Sequence, residues 1–515
     1  MNLDGPPEAA RGALSAAFED PSVRGLDRVG VVDVGSNSVR LVIFDGAARS
    51  PAYFYNEKVM AGLGTGMVQS GRLHPEGRRR ALAAVKRFVA LAEGMEIAPL
   101  TAVATAAVRR ADDGPAFAAE VEAETGLRLD VVDGQEEARL SAQGVLLGWP
   151  RGDGLVCDIG GSSMELARIE GGRVHERATS DLGPLRLDAI KGGAKARAKE
   201  IDATLAGLLN DVGAHKQLYL VGGSWRAIAR LDMARHGYPL LVLHDYRMTP
   251  STIRNTLDWL SGKDLDVVRR EVGISSARIS LVPMAGEVLQ RLIKAFGITQ
   301  LTVSAYGIRE GLLYEKMPAR VRARDPLLEA TRHSERLSAR LPGFGEKLYG
   351  FIAPLFEGSP IDARLRQAAC HLHDVSWRAH PDYRAEIVFD NATRGNLGGI
   401  DHQGRVYLGL ALMHRYRNAR PGTRFEPLLG LLDEAQMREA EILGRAMRFG
   451  AMFSVAAPDR LGRLEWNPKA RQLTLHLPPR AVPLYGEVAG ARLASLAKAM
   501  GAEAHVLEVE DESVS

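Results

Sequence analysis

The hydrophobic pattern changes period repeatedly along most of the chain, and this alternation predicts the order of the elements. Short continuous apolar runs, such as Val29–Val32 and Leu218–Val221, are typical of buried strands. Between such runs lie stretches with apolar residues three or four positions apart, as at Leu82, Val85 and Val89, which predict amphipathic helices. Strands that alternate with helices indicate an α/β fold.

One short motif occurs twice. Residues 33–41 read DVGSNSVRL and residues 158–166 read DIGGSSMEL, so the two copies share Asp, Gly, Ser and Leu at matching positions. Each copy follows an apolar run and precedes another, which predicts a hairpin with glycine and hydroxyl groups in its loop. The duplication predicts two similar lobes.

From about residue 319 the pattern changes to long helical segments with many arginines, and histidines concentrate after them. Near the end, alternating residues around a turn predict a hairpin, followed by a helix and the acidic residues 508–512. We therefore expect a loose leader at 1–26, lobe I at 27–148, lobe II at 149–318, a helical domain at 319–450, and the hairpin, helix and acidic tail at 451–515.

Composition narrows the class of protein. Of 515 residues, 46% are hydrophobic and 25% are charged, which is typical of globular proteins and excludes collagen-like or wholly disordered chains. Because the chain has no long apolar stretch and no signal-peptide pattern at its start, we expect a cytoplasmic protein without membrane insertion. Cys157 and Cys370 stand far apart inside apolar runs, which excludes a disulfide framework and a cysteine zinc site. The net charge of only +3 does not require an anionic partner, and no nucleic acid is expected.

Three loops that follow predicted strands combine glycines with hydroxyl groups. Glycine lets successive backbone N–H groups approach an anion, and serine adds further donors, so such loops suit phosphate. For a single loop of this kind a tight turn is the better explanation, but two similar lobes with such loops are how actin-like ATPases and sugar kinases hold phosphates. The candidate phosphate-binding residues are Gly35, Ser36, Asn37 and Ser38, then Gly160, Gly161, Ser162 and Ser163, then Gly222, Gly223 and Ser224.

Acidic residues near these loops suit a metal or a base. A hairpin would bring Asp158 and Glu165 together, where two carboxylates and water can hold Mg²⁺ or another divalent cation. In the first copy the equivalent of Glu165 is Arg40, and both side chains are also compatible with outward-facing surface charges. Glu137 stands in the first turn of a predicted helix, where acids commonly just complement the helix dipole. The residues alone leave these alternatives open.

Six motifs in order resemble the exopolyphosphatase and guanosine pentaphosphate phosphohydrolase family. The motifs are 33–38 (DVGSNS), 104–109 (ATAAVR), 134–139 (GQEEAR), 158–165 (DIGGSSME), 222–224 (GGS) and 304–311 (SAYGIREG). They cover about residues 27 to 315, and the remainder resembles the helical, HD-like C-terminal extension of longer members. The resemblance implies two actin-like (ribonuclease H-like) lobes, with the HD-like domain and the small terminal hairpin after them.

The resemblance also implies roles for individual residues. Glu137 matches the family's general base, and Asp158 and Glu165 match its metal-site and phosphate-site acids. The glycine and serine loops match its phosphate contacts, together with Arg109. This chain departs from the family at 58–66, where Lys58 is the nearby cation, and after Arg278, which lacks the expected acid two residues later. Secondary candidates for the site are therefore Asp33, Arg40, Lys58 and Arg278.

The implied reaction is metal-dependent hydrolysis of the terminal phosphoanhydride of inorganic polyphosphate, with guanosine pentaphosphate as the alternative substrate. Basic residues recur at 320–340, where a long chain could run, and no aromatic platform for a base stands out. An actin-like kinase and a non-enzymatic polyphosphate or nucleotide sensor rank lower, because Glu137 and the other presumed catalytic residues are present. His371, His373 and Asp374, with Asp401 later, loosely resemble an HD metal site, although helix histidines are more often packing groups. We expect the helical domain to extend the polymer path and to pair subunits in a homodimer.

Overall fold

The computed structural model of the protein describes residues 28–45, 49–97, 100–418 and 424–509. The predicted leader at 1–26 and residues 510–512 of the predicted acidic tail lie outside the described residues. The chain forms two compact units. The first contains the described residues up to Gly237 together with Leu243–Arg324, and the second contains Tyr238–Val242 together with the described residues from Asp325 onward.

Lobe I of the first unit is built on a five-stranded sheet in the order β3-β2-β1-β4-β5. Strand β1 pairs antiparallel with β2 and parallel with β4, so the predicted hairpin at the first motif is present. The strands are β1 Val29–Val34, β2 Val39–Phe44, β3 Tyr53–Val59, β4 Thr101–Ala104 and β5 Leu129–Val131. The helices are α1 Met67–Ser70, α2 Pro75–Gly94, α3 Ala106–Arg110, α4 Gly114–Thr125 and α5 Gly134–Gly148.

Lobe II repeats this arrangement in a six-stranded sheet of order β10-β11-β9-β6-β7-β8. Its hairpin β6–β7 is antiparallel, and β6 pairs parallel with β9, as β1 does with β4. The strands are β6 Gly154–Ile159, β7 Met164–Glu170, β8 Arg173–Ser180, β9 Gln217–Val221, β10 Tyr246–Met248 and β11 Gln300–Val303. The helices are α6 Pro184–Asp188, α7 Gly193–Val212, α8 Gly223–His236, α9 Pro250–Ser261, α10 Leu265–Val272, α11 Ser276–Ile279, α12 Val282–Phe296, α13 Ile308–Lys316 and α14 Ala319–Arg322.

Helices α5 and α13 cross at very close range between the two sheets. A Cβ atom added at Gly311 would collide with the carbonyl group of Leu140, and one at Gly144 would collide with that of Gly307. One apolar core joins these helices to Val31 and Val156, which lie on the central strands of the two sheets. The packing fixes α5, which is important because this helix begins with the motif that contains Glu137.

The second unit is mainly helical and ends in a three-stranded sheet of order β12-β13-β14. The helices are α15 Pro326–Ser338, α16 Phe344–Ile352, α17 Ala363–Leu372, α18 Arg384–Arg394, α19 His402–His414, α20 Glu426–Leu429, α21 Glu434–Phe453, α22 Pro458–Leu461 and α23 Glu487–Met500, with 3-10 turns at Ala353–Phe356 and Pro479–Leu484. The strands are β12 Arg463–Asn467, β13 Gln472–Leu477 and β14 Glu503–Glu508. The predicted hairpin is present, but β14 was missed: it pairs parallel with β13 where a helix and a tail alone were expected.

His371 and Asp374, which were candidates for an HD-like metal site, are hydrogen-bonded to neighbouring side chains. Both ring nitrogens of the buried His371 lie 2.9 Å from an acceptor or donor, Thr331 Oγ1 at Nδ1 and Glu346 Oε1 at Nε2. Asp374 forms a bidentate ion pair with Arg340, at 2.8 and 2.6 Å. Among the residues that the structure describes, no group of three or more His, Cys, Asp or Glu side chains is arranged to hold a metal ion. These histidines therefore fit the packing alternative better than the HD metal site.

The arginines of α15 and of the turn after it also form ion pairs or hydrogen bonds with neighbouring side chains. Arg332 pairs with Glu346 at 2.8 Å and Arg336 Nη2 lies 2.9 Å from His333 Nδ1. With Arg340 held by Asp374, these arginines resemble ion-paired surface residues more than the open path for a polyanion that the sequence predicts.

Within the described ranges, none of the helices combines the length and the hydropathy needed to cross a membrane. Cys157 and Cys370 are both buried and free.

Candidate active site

A cavity of about 250 Å³ lies where the two hairpin loops of the first unit meet. The helix starts after β4, β9 and β11 also reach it, because parallel strands bring their C-terminal ends to one edge of a sheet. Most of the sequence-predicted residues line it: Asp33, Gly35, Ser36, Asn37, Ser38, Arg40, Lys58, Glu137, Asp158, Gly160, Gly161, Ser163, Gly222, Gly223, Ser224 and Arg278. Three predicted residues do not line the cavity but lie next to residues that do. Arg109 donates a hydrogen bond to Glu137, Ser162 Oγ lies 3.5 Å from Ser36 Oγ, and Glu165 is the cross-strand partner of Asp158.

The two hydroxyl loops have the same internal hydrogen bond. Gly35 N–H donates to the Ser38 carbonyl and Gly160 N–H donates to the Ser163 carbonyl, each at 3.0 Å. Ser162 Oγ lies 3.5 Å from Ser36 Oγ, so the loops face one another tip to tip. The repeated sequence thus forms a repeated structure, and the two copies meet at the cavity.

The third loop brings a helix N-terminus to the cavity. Gly222 has φ +113°, and a Cβ there would lie 2.6 Å from the Ile159 carbonyl oxygen, so only glycine fits this position. Helix α8 begins at the next residue, Gly223. The partial positive charge of a helix N-terminus favours an anion, which suits the loop to phosphate.

Glu137 is held at the wall of the cavity by its helix and by one arginine. Asp133 caps α5 by accepting a hydrogen bond from Glu136 N–H at 2.7 Å. The buried Glu137 accepts a hydrogen bond at Oε2 from Arg109 Nη1 at 3.0 Å, and Arg109 also donates to the Val132 carbonyl at 2.7 Å. Arg109 therefore acts on the carboxylate rather than on the cavity directly.

The protonation state of Glu137 is set mainly by burial. Burial raises its pKa to about 7, although Arg109 opposes this shift and Asp158 and Asp33 add to it. A carboxyl with a pKa near 7 is suited to accept a proton at neutral pH. The adjacent Glu136 differs: its ion pair with Arg139 lowers its pKa. The pKa values of these two adjacent glutamates are thus shifted in opposite directions.

Asp158 and Glu165 are direct cross-strand partners in the β6–β7 hairpin. Asp158 lines the cavity and accepts a hydrogen bond from the Ser141 hydroxyl. Glu165 is 1% exposed, and it accepts from Thr179 Oγ1 at 3.2 Å through Oε1. Its Oε2 is buried and, within the described chain, makes no hydrogen bond. Burial raises the pKa of both carboxyls, and for Glu165 the nearby Glu137 and Asp158 add to this effect.

These carboxylates fit a hard cation in part. An orphaned buried carboxylate oxygen beside a second carboxylate is the kind of donor set that Mg²⁺ accepts. The described residues nevertheless provide no ready group of three acidic or other metal-ligating side chains. Because Mg²⁺ commonly keeps several waters and takes the rest of its ligands from substrate phosphates, two protein carboxylates are compatible with it.

Lobe I has the same geometry with the opposite charge. Asp33 pairs across its hairpin with Arg40, as Asp158 does with Glu165. Arg40 Nε donates to Asn56 Oδ1 at 2.7 Å, and burial, with the nearby Arg309, lowers its pKa to about 10. The hairpin register therefore places a cation in lobe I where lobe II has an acid.

Two further cations of the cavity were missed from the sequence. Arg226 donates to the carbonyls of Ser304 and Ala305 at 3.0 and 2.9 Å, and Arg309 lies 3.7 Å from Asp33. Both line the cavity, and Arg309 Nε is buried and, among the described residues, has no hydrogen-bond partner. Arg309 falls within the motif at 304–311, so its motif position was a usable signal, whereas nothing in the local pattern distinguished Arg226 from a surface charge.

Comparisons with known proteins identify the family. A model described as the Ppx/GppA phosphatase family matches residues 42–320, more than half of the chain. The chain belongs to the Ppx/GppA phosphatase family. A second model, described as exopolyphosphatase, C-terminal, matches residues 330–507. The predicted resemblance is thereby confirmed.

Individual relatives of this Ppx/GppA member are distant. Retrograde regulation protein 2 of Saccharomyces cerevisiae is 24% identical and covers 83% of this chain and 79% of its own. Exopolyphosphatase 1 of Mycobacterium bovis is 26% identical over 56% of this chain and 88% of its own. The guanosine-5'-triphosphate,3'-diphosphate pyrophosphatase of Photobacterium profundum is 24% identical over 56% of this chain and 58% of its own.

A solved structure shows the fold. The crystal structure of an exopolyphosphatase from Cytophaga hutchinsonii matches with a TM-score of 0.50 and 24% identity, covering 56% of this chain and 98% of that one. The predicted fold class, α/β with two actin-like lobes and a C-terminal helical domain, is confirmed.

Proposed function

We propose that this protein is an exopolyphosphatase, which hydrolyses the terminal phosphoanhydride of inorganic polyphosphate and releases orthophosphate. Membership of a phosphatase family supports hydrolysis of a phosphate compound. The observation that carries the proposal is the buried Glu137, placed at the wall of a cavity that also contains glycine and serine loops and five cations, which are Arg40, Lys58, Arg226, Arg278 and Arg309.

The proposed chemistry needs no nucleophilic side chain. Water attacks the terminal phosphorus in line with the bridging oxygen, the bond to that oxygen breaks, and Glu137 takes the proton of the water. Arg109 orients the Glu137 carboxylate through the 3.0 Å hydrogen bond. The loop donors and the cations stabilise the charge that develops on the transferred phosphoryl group and on the leaving chain.

We further propose that the reaction uses Mg²⁺ or another divalent cation. Asp158 and Glu165 would hold it, since Glu165 Oε2 is buried without a hydrogen bond among the described residues. Such a cation would supply positive charge to the phosphate oxygens. These two residues act in the scheme as its anionic ligands and take no proton from water.

The lining of the cavity favours polyphosphate as the substrate. Among its described lining residues there is no Phe, Tyr, Trp or His side chain on which a guanine could stack, whereas cations are frequent. Guanosine pentaphosphate is the second candidate, because one relative is named as its pyrophosphatase. A homodimer and a cytoplasmic location also remain predictions.

One set of assays tests these proposals. The purified protein is given polyphosphate, guanosine pentaphosphate, or ATP with or without a sugar, and free phosphate and remaining ATP are measured with Mg²⁺ and with chelator. We expect Mg²⁺-dependent phosphate release, fastest from polyphosphate. Faster release from guanosine pentaphosphate would reverse the choice of substrate, consumption of ATP only with the sugar would indicate a kinase, and no turnover at all would favour a sensor.

A further inference from the structure

Arg110 joins the two lobes beside the phosphate loops. Its Nη1 donates to the carbonyl oxygen of Ser162 at 3.2 Å, and its Nη2 forms an ion pair with Asp181. Arg110 ends α3 in lobe I, whereas Ser162 lies in the β6–β7 loop and Asp181 directly follows β8 in lobe II. One guanidinium therefore contacts two separate segments of the opposite lobe.

The lobe I side of this contact is rigidly placed. Directly after α3, Asp112 N–H donates to the Gly71 carbonyl at 2.9 Å, and Asp113 Oδ1 accepts from Leu73 N–H at 2.9 Å. The residue before Arg110 is Arg109, whose guanidinium holds Glu137. The two consecutive arginines thus link one short helix to the proposed base and to the opposite phosphate loop.

The lobe II side is equally constrained. A Cβ added at Gly183 would collide with the backbone of Ser162, and Leu185 N–H donates to the Gly161 carbonyl at 2.9 Å, so α6 supports the loop from below. Arg186 on α6 pairs with Asp181 Oδ2 at 2.7 Å. This second guanidinium orients the Asp181 carboxylate, which then receives Arg110.

We propose that Arg110 is a positioning residue that clasps the Gly160–Ser163 loop to lobe I and so sets the separation of the two hydroxyl loops. Only the consequence for catalysis rests on the proposed function. Arg110 binds the carbonyl of Ser162, and the hydroxyl of the same residue lies 3.5 Å from Ser36 Oγ in the other loop. If the clasp is released, the two loops no longer meet a phosphoryl group together.

The kinetic test compares Arg110→Gln with Arg110→Lys and with the matched control Arg197→Gln. Arg197 is 24% exposed at its side chain, against 25% for Arg110, but its partner Glu287 is in the same lobe. We expect Arg110→Gln to lower kcat for polyphosphate about 10- to 100-fold, since small displacements in an active site have effects of this size, with a much smaller change in KM. Arg110→Lys should recover part of kcat, and Arg197→Gln should leave it unchanged.

The structural test does not depend on turnover. Spin labels are attached to Gly94→Cys in lobe I and Gly207→Cys in lobe II, two helical glycines where an added Cβ meets nothing within 4 Å. The native Cys157 and Cys370 are buried, so the labels go to the introduced sites. Arg110→Gln should broaden the distance distribution between the labels or shift it to longer values, whereas Arg197→Gln should not.

Each outcome decides the proposal. An unchanged distance distribution in Arg110→Gln overturns the clasp, whether or not kcat falls, because a fall in kcat alone would indicate a local effect. A wild-type protein without phosphohydrolase activity would overturn the proposed function, but the distances would still test the clasp. If Arg110→Gln does not fold, Asp181→Asn at a half-exposed residue removes the ion pair that orients Arg110 but leaves its bond to the Ser162 carbonyl, and is expected to produce a smaller shift in the same direction; no shift would overturn the clasp.

Discussion

Replacing Glu137 by Gln should inactivate the protein and at the same time stabilise its fold. The amide keeps the shape of the side chain and can still accept the Arg109 hydrogen bond, but it cannot take a proton from water. Loss of a general base typically lowers the rate by about 10² to 10⁴. Substrate binding should be largely retained, because the phosphate loops and the cations of the cavity are unchanged.

The effect on stability follows from the pKa of Glu137. Burial raises this pKa from the ordinary 4.5 to about 7. Because the pKa is higher in the folded state, the folded protein favours the protonated acid. The contribution of Glu137 to the free energy of unfolding is therefore largest below pH 4.5 and is lost as the pH rises to 7. A shift of this size corresponds to about 3 kcal/mol. At pH 8, without metal, Glu137→Gln should therefore raise the free energy of unfolding by up to about 3 kcal/mol, and near pH 4 the difference should vanish.

The neighbouring residue is the matched control. The ion pair of Glu136 with Arg139 lowers its pKa, so Glu136→Gln should slightly destabilise the fold above pH 4.5 and leave turnover nearly intact. The measurements are phosphate release from polyphosphate and urea unfolding with chelator at pH 4, 6 and 8. If Glu137→Gln keeps more than about a tenth of wild-type turnover, the general base is elsewhere. If its unfolding free energy at pH 8 equals that of the wild type, the burial argument is wrong.

Three further predictions concern the other charged residues. Asp158→Asn or Glu165→Gln should raise the Mg²⁺ concentration for half-maximal activity, since each removes a proposed anionic ligand; titration curves that superimpose after rescaling would argue against it. Arg309→Gln should raise KM for polyphosphate and flatten its dependence on salt, because it removes one cation that displaces counterions; a parallel salt slope would contradict this. Arg332→Gln with Arg340→Gln should not selectively impair long polyphosphate, as both are already ion-paired, and a KM increase confined to long chains would restore the polymer-path interpretation.

The features predicted best from the sequence are the two hairpins, for which the hydrophobic pattern and the repeated motif agree. The apolar runs on each side of 33–41 and 158–166 determined both hairpins, and the shared residues determined that their loops are alike. Strand β14 was missed because all six of its residues are exposed, so that no alternation of buried and exposed positions marks it. The strand exists because of pairing with β13, a contact that local pattern does not encode.

The site was predictable where motif and spacing carried the signal. The loop residues could be predicted because their segments are rich in glycine and serine. Arg226 could not, because it reaches the cavity only through the start of its helix at Gly223 and through two carbonyls after β11 that hold its guanidinium. The electrostatic difference between Glu136 and Glu137 was equally beyond the sequence, because it depends on the tertiary placement of Arg109 and on burial.

The two hairpins also give the cavity a direction. A duplicated hairpin with identical residues would produce a pseudosymmetric cleft, but the two copies differ at several positions, and one of these differences reverses a charge: Arg40 in lobe I stands where lobe II has Glu165. Inorganic polyphosphate is a uniform polymer whose two ends are chemically the same. If the protein removes single units from such a chain, as proposed, the polarity must come from the protein, and the charge reversal between Arg40 and Glu165 is one difference between the lobes that can supply it. On that proposal, charges of the protein orient the substrate, because the two ends of the polymer are alike.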